Sequence, residues 1–536
     1  MRTRAAVIAL AAALTAAGLS GCGDSGASGV SDMLGGYTAA LDSLNAINAA
    51  QLTSSPSAAA VVLGQTLRDM HPTKLEVTAG NVQRYSGGTA TFDLTTHWNF
   101  GPDRDWEYTT HGTATDLSIG WRIQWDPSVL APGINATTTL RQIRTDAPAP
   151  RVLAKDGPDL MFAGTVHKLS IDPSKTKDLN ASFAEVAKIV APVAPLITVA
   201  SLTAEAKANP NGPVPVVDLR DDDYAVLSDD LSDVPGLTQV PAPDLLISDR
   251  QLFSPLFDGI KGAWQAERDA TQGWAVQLVP ASGPPTRVVG YQGPPGPDLR
   301  TSMDTKVQLQ AENAVVQLGQ PAAMVVVSIS SGAVLAAAQN NQASTVSSSW
   351  ALTGLSTTGP VLEPLFSVIN KAAGTDAGKQ KNLLDPLGIG TDFPMTGVQT
   401  VTASLPGRAG AASAQLSADT VKMSPFGAAL MMAALAKGQM TAPYVVQGQA
   451  AKPSAPLGVV NADVRKAATD AMTATMAPSG DGSDLAGTKV RGLVGTNGPD
   501  GPGWFIGFRG DQAFAIMVTG PTSGAGSLQV ASAYLG

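Results

Sequence analysis

Residues 121–132 read WRIQWDPSVLAP, and no other stretch of similar length says as much about the fold. Trp121, Ile123 and Trp125 alternate with polar residues, which is the pattern of a strand with one buried face. Pro127 and Pro132 follow and stop the strand, because proline has no N–H to give to a sheet ladder. The two tryptophans therefore place large aromatic side chains on the buried face of this strand.

The segment before this motif supplies the rest of that domain. Apolar residues between positions 33 and 70 recur at intervals of three and four, which predicts helices. Residues 90–97, 106–113 and 117–125 then alternate as strands do. Helices followed by a curved sheet, closed by the two tryptophans, resemble the N-terminal domain of methicillin-resistance-type penicillin-binding proteins. The resemblance implies a cone-shaped α+β domain of the nuclear-transport-factor-two kind at residues 31–145.

The chain begins with the features of an exported lipoprotein. Arg2 and Arg4 precede an apolar stretch at residues 5–17 that is too short to span a bilayer, and LSGC at 19–22 has the form of a lipobox. We therefore expect a signal peptide at 1–22, lipidation of Cys22, and a Gly/Ser-rich flexible tether at 23–30. The membrane would then be a partner through the lipid anchor, on the extracytoplasmic face of the cell membrane. Cys22 is the only cysteine, so no disulfide is expected.

Composition excludes one class of partner. The net charge of -9 and the pI near 5.0 argue against nucleic acid.

Residues 146–299 contain several proline clusters and read as loop-rich. Within the resemblance they correspond to the linker or dimerisation region of a penicillin-binding protein. Ser174 and Lys177 spell Ser-x-x-Lys, but they lie in a charged turn after Pro173, outside the region where catalysis is expected.

Residues 300–536 contain a second set of landmarks. AAMVVVSISSGAVLAAA at 322–338 predicts two buried strands, WALTG occupies 350–354, SPFGA at 424–428 opens an apolar helix, and GWFIGF occupies 503–508. In this order they resemble the transpeptidase domain of class B penicillin-binding proteins, the D,D-transpeptidase family. The resemblance implies a multidomain α+β protein whose C-terminal domain is β-lactamase-like, with an antiparallel sheet and helices.

The residues that carry chemistry in that family are missing at their expected positions. The family's nucleophile motif is Ser-x-x-Lys, in which lysine activates serine, and its edge strand carries Lys-Thr-Gly. Alignment on the landmarks places Pro360 at the serine and Glu363 at the lysine. Leu493 and Val494 stand at the lysine and threonine of the edge-strand motif. We therefore predict no catalytic residues.

The third family motif, Ser-x-Asn, belongs to a helical lobe that is short in this chain. Only about thirty residues separate Gly354 from Asp385, which leaves room for one or two helices of roughly 11–12 residues.

Other chemistries have little support in the sequence. All four histidines, His71, His97, His111 and His167, precede residue 300, so a Ser-His-Asp triad within the last domain is excluded. Residues 221–223 form an acidic run without the spacing of a calcium loop. We expect no metal and no cofactor.

These observations favour a catalytically inactive transpeptidase homologue that acts as a scaffold or regulator in peptidoglycan synthesis. Its partners would include a peptidoglycan stem peptide or cell-wall synthesis proteins. One alternative is an active transpeptidase with a displaced nucleophile such as Ser356 or Ser367. A second alternative is a solute-binding lipoprotein that uses the cone cavity.

Overall fold

The computed structural model describes residues 25–210, 212–406, 415–417 and 419–536. The predicted signal peptide and Cys22 lie outside these residues. The helices are α1 Ser25–Asp42, α2 Ala46–Gln51, α3 Pro56–Met70, α4 Leu179–Val190, α5 Val199–Ala208, α6 Asp221–Ser232, α7 Phe257–Ala270, α8 Thr305–Val315, α9 Asn341–Val346, α10 Trp350–Thr353, α11 Glu363–Ala373, α12 Ala377–Leu384, α13 Pro425–Lys437, α14 Ala462–Thr475 and α15 Ser523–Leu535. The strands are β1 Lys74–Tyr85, β2 Thr89–Asn99, β3 Asp105–Leu117, β4 Gly120–Ile123, β5 Thr138–Thr145, β6 Val152–Leu153, β7 Asp159–Ile171, β8 Val214–Arg220, β9 Leu237–Ile247, β10 Gly273–Pro280, β11 Thr286–Tyr291, β12 Leu299–Arg300, β13 Ala322–Ser328, β14 Val334–Gln339, β15 Ser356–Thr357, β16 Ala403–Ser404, β17 Lys422–Met423, β18 Arg491–Thr496, β19 Gly503–Arg509 and β20 Gln512–Val518.

The fold divides into two compact units. Of the described residues, one unit contains those from 25 to 147 and from 271 to 294, and the other contains those within 148–270 and 295–536.

The first unit has the predicted order of helices followed by a sheet. Strands β1 to β4 form an antiparallel sheet in sequence order. Along β2 every second residue is buried, because one face of the sheet packs on α1 to α3 while the other meets water. Tyr37, Phe92 and Trp98 belong to the resulting core.

Helix α1 begins inside the segment predicted to be a flexible tether. It starts at Ser25, and Val30 is buried in the core of the first unit. The Gly/Ser composition indicated low helix propensity, but burial of the apolar side chains at 30 and 33–34 favours the helix. The described part of the predicted tether is therefore helical.

A hairpin from the predicted linker belongs to the first unit. Strand β10 pairs antiparallel with β5 on one side and with β11 on the other, and Trp274 and Val276 enter the core of that unit. The predicted boundary at residue 145 is wrong for residues 271–294, because these strands complete a sheet begun more than a hundred residues earlier. Gly290 has a φ of 101° and lies against the Trp274 backbone, where a side chain would collide.

The remainder of the linker is more regular than its composition indicated. Strands β12, β6, β7 and β8 form a sheet in that order, and β9 pairs with β7. Helices α4, α5 and α6 cover it, and Phe183, Val186 and Leu219 lie in their shared core. Burial of these apolar positions corrects the prediction of a loop-rich region.

The last sheet has the order β14-β13-β20-β19-β18 and is antiparallel throughout. Ala322, Met324 and Val326 face a cluster that includes α8 and α15, while Ala323 and Val325 face the cluster containing α13. Both faces are covered, which explains why β13 and β14 are apolar along their whole length. The chain is thus a mixed α/β protein with antiparallel sheets.

Within the described residues no helix has the length and apolar character needed to cross a membrane.

Candidate functional site

The position expected for the nucleophile forms a tight turn at the start of α11. A single 3₁₀ turn covers Gly359–Leu362, and α11 follows directly. Gly359 has a φ of 61°, a left-handed conformation in which glycine is favoured. Pro360 is exposed on this turn, and Glu363 is exposed as the first residue of α11. A carboxylate in the first helical turn stabilises the helix, but it does not supply the positive charge of a lysine.

The edge strand lies against this turn. A Cβ at Gly495 of β18 would stand 2.9 Å from Pro360 Cγ and 3.0 Å from Val361 Cγ2. Leu493 is 3% exposed and belongs to the core cluster that also contains Val361. The structure therefore brings Pro360 and β18 together, with apolar groups at the contact.

Val494 points to the opposite face of β18. It is half-buried against the cluster of α8 and α15. Together with Gly495, Thr496 and the start of α15 it lines a cavity of about 570 Å³.

Sequence reasoning missed the polar groups at the junction. Asn497 Nδ2 donates to Thr357 Oγ1 at 2.6 Å, and Trp504 Nε1 donates to the Thr357 carbonyl oxygen at 2.8 Å. Lys422 is opposite Thr357 across the β15/β17 pair. Two features of the sequence could have indicated these polar groups. Thr357 precedes Gly359 by two residues, and Lys422 precedes the landmark at 424–428 by two residues. These contacts fix the backbone that leads into the turn.

The serines considered as displaced nucleophiles, Ser356 and Ser367, lie on different elements, β15 and α11. Ser356 is opposite Met423 in the β15/β17 register, and Ser367 lies on the exposed side of α11. In the described part of the chain neither hydroxyl makes a hydrogen bond to a lysine. Ser174 Oγ donates instead to Asp172 Oδ1 at 2.7 Å, as expected for a turn.

The outer edge of β18 lacks a strand partner among the described strands, since β18 pairs with β19 alone. Free N–H and C=O groups on such an edge can pair with an extended peptide.

Three histidines, His97, His111 and His167, lie beside separate carboxylates. His97 Nε2 lies 3.1 Å from Asp105, and His167 Nε2 lies 2.7 Å from Asp221. Among the described residues there is no group of three or more side chains suited to hold a metal ion. The acidic run at residues 221–223 forms the first turn of α6, where carboxylates stabilise the helix.

Aromatic side chains occupy the inner face of the first unit. Trp98 Nε1 donates to the Tyr108 hydroxyl at 2.9 Å, which donates to the Leu130 carbonyl at 2.8 Å. Burial raises the pKa of Tyr108 above its usual range, so the phenol stays neutral. Trp98 also stacks with Phe100, with ring centroids 6.3 Å apart.

Comparison with protein families gives a match within the first unit. Residues 32–138 match the model described as the NTF2-like N-terminal transpeptidase domain. This confirms the predicted cone domain and supports an architecture like that of penicillin-binding proteins. The match ends at the first residue of β5. Comparison with curated protein sequences gave no match.

Proposed function

We propose that this chain is a cell-envelope lipoprotein of class B penicillin-binding-protein architecture. In this proposal residues 300–536 are a transpeptidase-like domain that no longer acylates and acts as a scaffold or regulator in peptidoglycan synthesis. The supporting observation is the packing of the Pro360 turn on β18, at the junction where the resemblance places the serine and the two lysines.

The chemistry of that junction argues against acyl transfer. Acylation needs a nucleophile with an adjacent base, and proline has no side-chain nucleophile. Glu363 is exposed and negatively charged, whereas the family's lysine is cationic or a neutral base. Leu493 is buried among apolar side chains and offers no group to bind a substrate carboxylate.

A domain without acylation activity can still bind a peptide or a partner protein. The unpaired edge of β18 can accept an extended stem peptide or a segment of a partner protein through backbone hydrogen bonds. Lipid on Cys22 would hold the protein at the outer face of the membrane, where those partners occur.

Two measurements test the proposal. Metabolic labelling of the full chain and of Cys22→Ser with a fatty-acid probe tests the anchor: we expect label on the native chain and none on the variant. An unlabelled native chain, or equal labelling of the two, would contradict lipidation of Cys22.

Co-purification from detergent-solubilised membranes tests the scaffold role. We expect peptidoglycan synthesis proteins to be recovered with the native chain and to be depleted with Val494→Pro. The Asn497 N–H donates to the Pro502 carbonyl within the β18/β19 register, so by alternation the Val494 N–H faces the outer edge of β18, and proline removes it. Val494→Ala, which keeps that N–H, is the matched control, and circular dichroism would verify that both variants fold. Recovery of no wall-synthesis protein would favour the solute-binding alternative.

A further inference from the structure

The outer face of the first unit carries a concave polar surface that the proposed function does not use. A cavity of about 580 Å³ opens over strands β1 to β3 and the segment after β4. Its polar lining consists of amides, carboxylates, hydroxyls and one imidazole, from Asn81, Gln83, Thr91, Asp93, His111, Thr113, Gln124, Asp126 and Ser128.

Strand register arranges these groups in rows. Gln83 is opposite Thr91, and Thr91 is opposite Thr113. The Gln124 N–H donates to the Thr113 carbonyl, so Gln124 continues the same row on the next strand. Four strands about 4.8 Å apart give a row roughly 14 Å long. The second row contains Asp93 opposite His111.

A β-bulge turns one more side chain towards the second row. The β1/β2 register shifts between Gly80 and Gln83, and Asn81 has a φ of 50°. Asn81 Nδ2 then donates to Asp93 Oδ2 at 2.7 Å, while His111 Nδ1 lies 2.5 Å from Asp93 Oδ1. The carboxylate is thereby fixed in orientation.

Several hydrogen-bonding groups of the cavity have no protein partner. In the described part of the chain, the hydroxyls of Thr91 and Thr113 make no hydrogen bond. The Gln124 Oε1 accepts from Thr115 Oγ1 at 3.2 Å, which leaves its amide N–H groups free. Asp126 uses Oδ1 to accept from the Ser128 N–H at 2.8 Å, so its second oxygen is available.

The lining selects against anions. It contains two carboxylates, and none of its described side chains belongs to a lysine or an arginine. A phosphate or carboxylate ligand would be repelled. Asp93 already accepts from Asn81 and lies against His111, and Asp126 accepts from Ser128, so neither carboxylate needs a cation from the ligand. A suitable ligand is therefore uncharged and offers hydroxyl donors to the carboxylates, together with groups that both donate and accept for the side-chain amides.

We propose that this surface binds an uncharged oligosaccharide with acetamido groups. Sugar hydroxyls would donate to Asp93 and Asp126, and the acetamido groups would pair with the amides of Gln83 and Gln124. The Thr91 and Thr113 hydroxyls stand between the two glutamines and would contact the sugar ring that bridges them. This site is independent of the proposed role of residues 300–536.

The test measures binding of chitotetraose to the full detergent-solubilised chain by titration calorimetry. We expect a Kd below about 1 mM for the native protein. The double variant Thr91→Val/Thr113→Val keeps the β-branched shape and removes only the two hydroxyls, so binding should weaken about tenfold, by about two hydrogen bonds.

A matched control uses the same two strands. Thr95 is opposite Thr109 on the same face, with their hydroxyls 3.1 Å apart, and neither residue lines the cavity. Thr95→Val/Thr109→Val should bind chitotetraose as the native chain does. Far-ultraviolet circular dichroism would verify that both double variants fold.

Three results would overturn the proposal. They are an absence of heat at millimolar chitotetraose, an equal loss in the two double variants, or binding of a polyamine such as spermidine in place of the sugar. Equal affinity for maltotetraose, which has no acetamido group, would overturn the assignment of the ligand class.

Discussion

Replacing Gly495 by alanine tests the contact between the two motif positions. The new Cβ would lie 2.9 Å from Pro360 Cγ and 3.0 Å from Val361 Cγ2, so the turn must move. Overpacking of this kind costs about 1–3 kcal/mol, and the lower entropy of the unfolded alanine chain recovers about 0.4–1 kcal/mol. We therefore expect a net loss of about 1–2 kcal/mol in the free energy of unfolding, measured from urea transitions at constant m-value.

A double-mutant cycle with Pro360→Ala identifies the source of this loss. Removing Cγ of Pro360 relieves the shorter contact, so the double variant should be more stable than the sum of the single changes predicts, by about 1 kcal/mol. Gly319→Ala, which meets nothing within 4 Å, should leave stability nearly unchanged. Additivity within about 0.3–0.5 kcal/mol would show that the turn does not rest on β18, and would refute the reasoning.

Three further changes test other parts of the structure. Burial raises the pKa of Glu312 from 4.5 to about 7, so ionisation of this carboxyl destabilises the fold as pH rises through that range. Above pH 7, Glu312→Gln should be about 1 kcal/mol more stable than the native chain, after allowance for solvent screening. Below pH 4.5 it should be no more stable, and urea unfolding at each pH would measure both differences. Gly112→Ala should cost about 1–3 kcal/mol because its Cβ would lie 2.3 Å from Phe92 Cζ, and thermal unfolding with Phe92→Leu added should recover part of it. Ser424→Ala removes the side chain that caps α13 at Gly427 N (3.0 Å) and that donates to the Val401 carbonyl, so it should lower the free energy of unfolding by about 0.5–2 kcal/mol in urea unfolding. Ser424→Asn should not restore this stability, because Ser424 is 0% exposed and the larger side chain would overpack the site.

Local signals predicted much of the fold. The helix that SPFGA predicted is α13, with Ser424 as its cap, and Gly438 ends it in a left-handed conformation with a φ of 86°. The turn at Gly332 and the hairpin turn at Gly510 also have positive φ, at 79° and 58°. Glycines at turns and helix ends can be predicted from the sequence, because a backbone with positive φ favours glycine over other residue types.

The pairing of strands that are distant in the chain could not be predicted from the sequence. Strand β10 joins β5 across more than a hundred residues, and no periodicity within either strand specifies the other. The candidate site, too, could be predicted only in part. The sequence indicated which positions lack catalytic residues, but the hydrogen bond from Asn497 to Thr357 depends on how β15 and β18 pack in three dimensions.

Acylation by a β-lactam tests the central proposal most directly. The purified chain would be incubated with benzylpenicillin and analysed by intact-mass spectrometry, with Ser356→Ala and Ser367→Ala variants in parallel and an active transpeptidase as positive control. The loss of the serine and lysines at Pro360, Glu363 and Leu493 predicts an unchanged mass. A covalent increase by the mass of one benzylpenicillin would contradict it, and loss of that adduct in either serine variant would identify a displaced nucleophile.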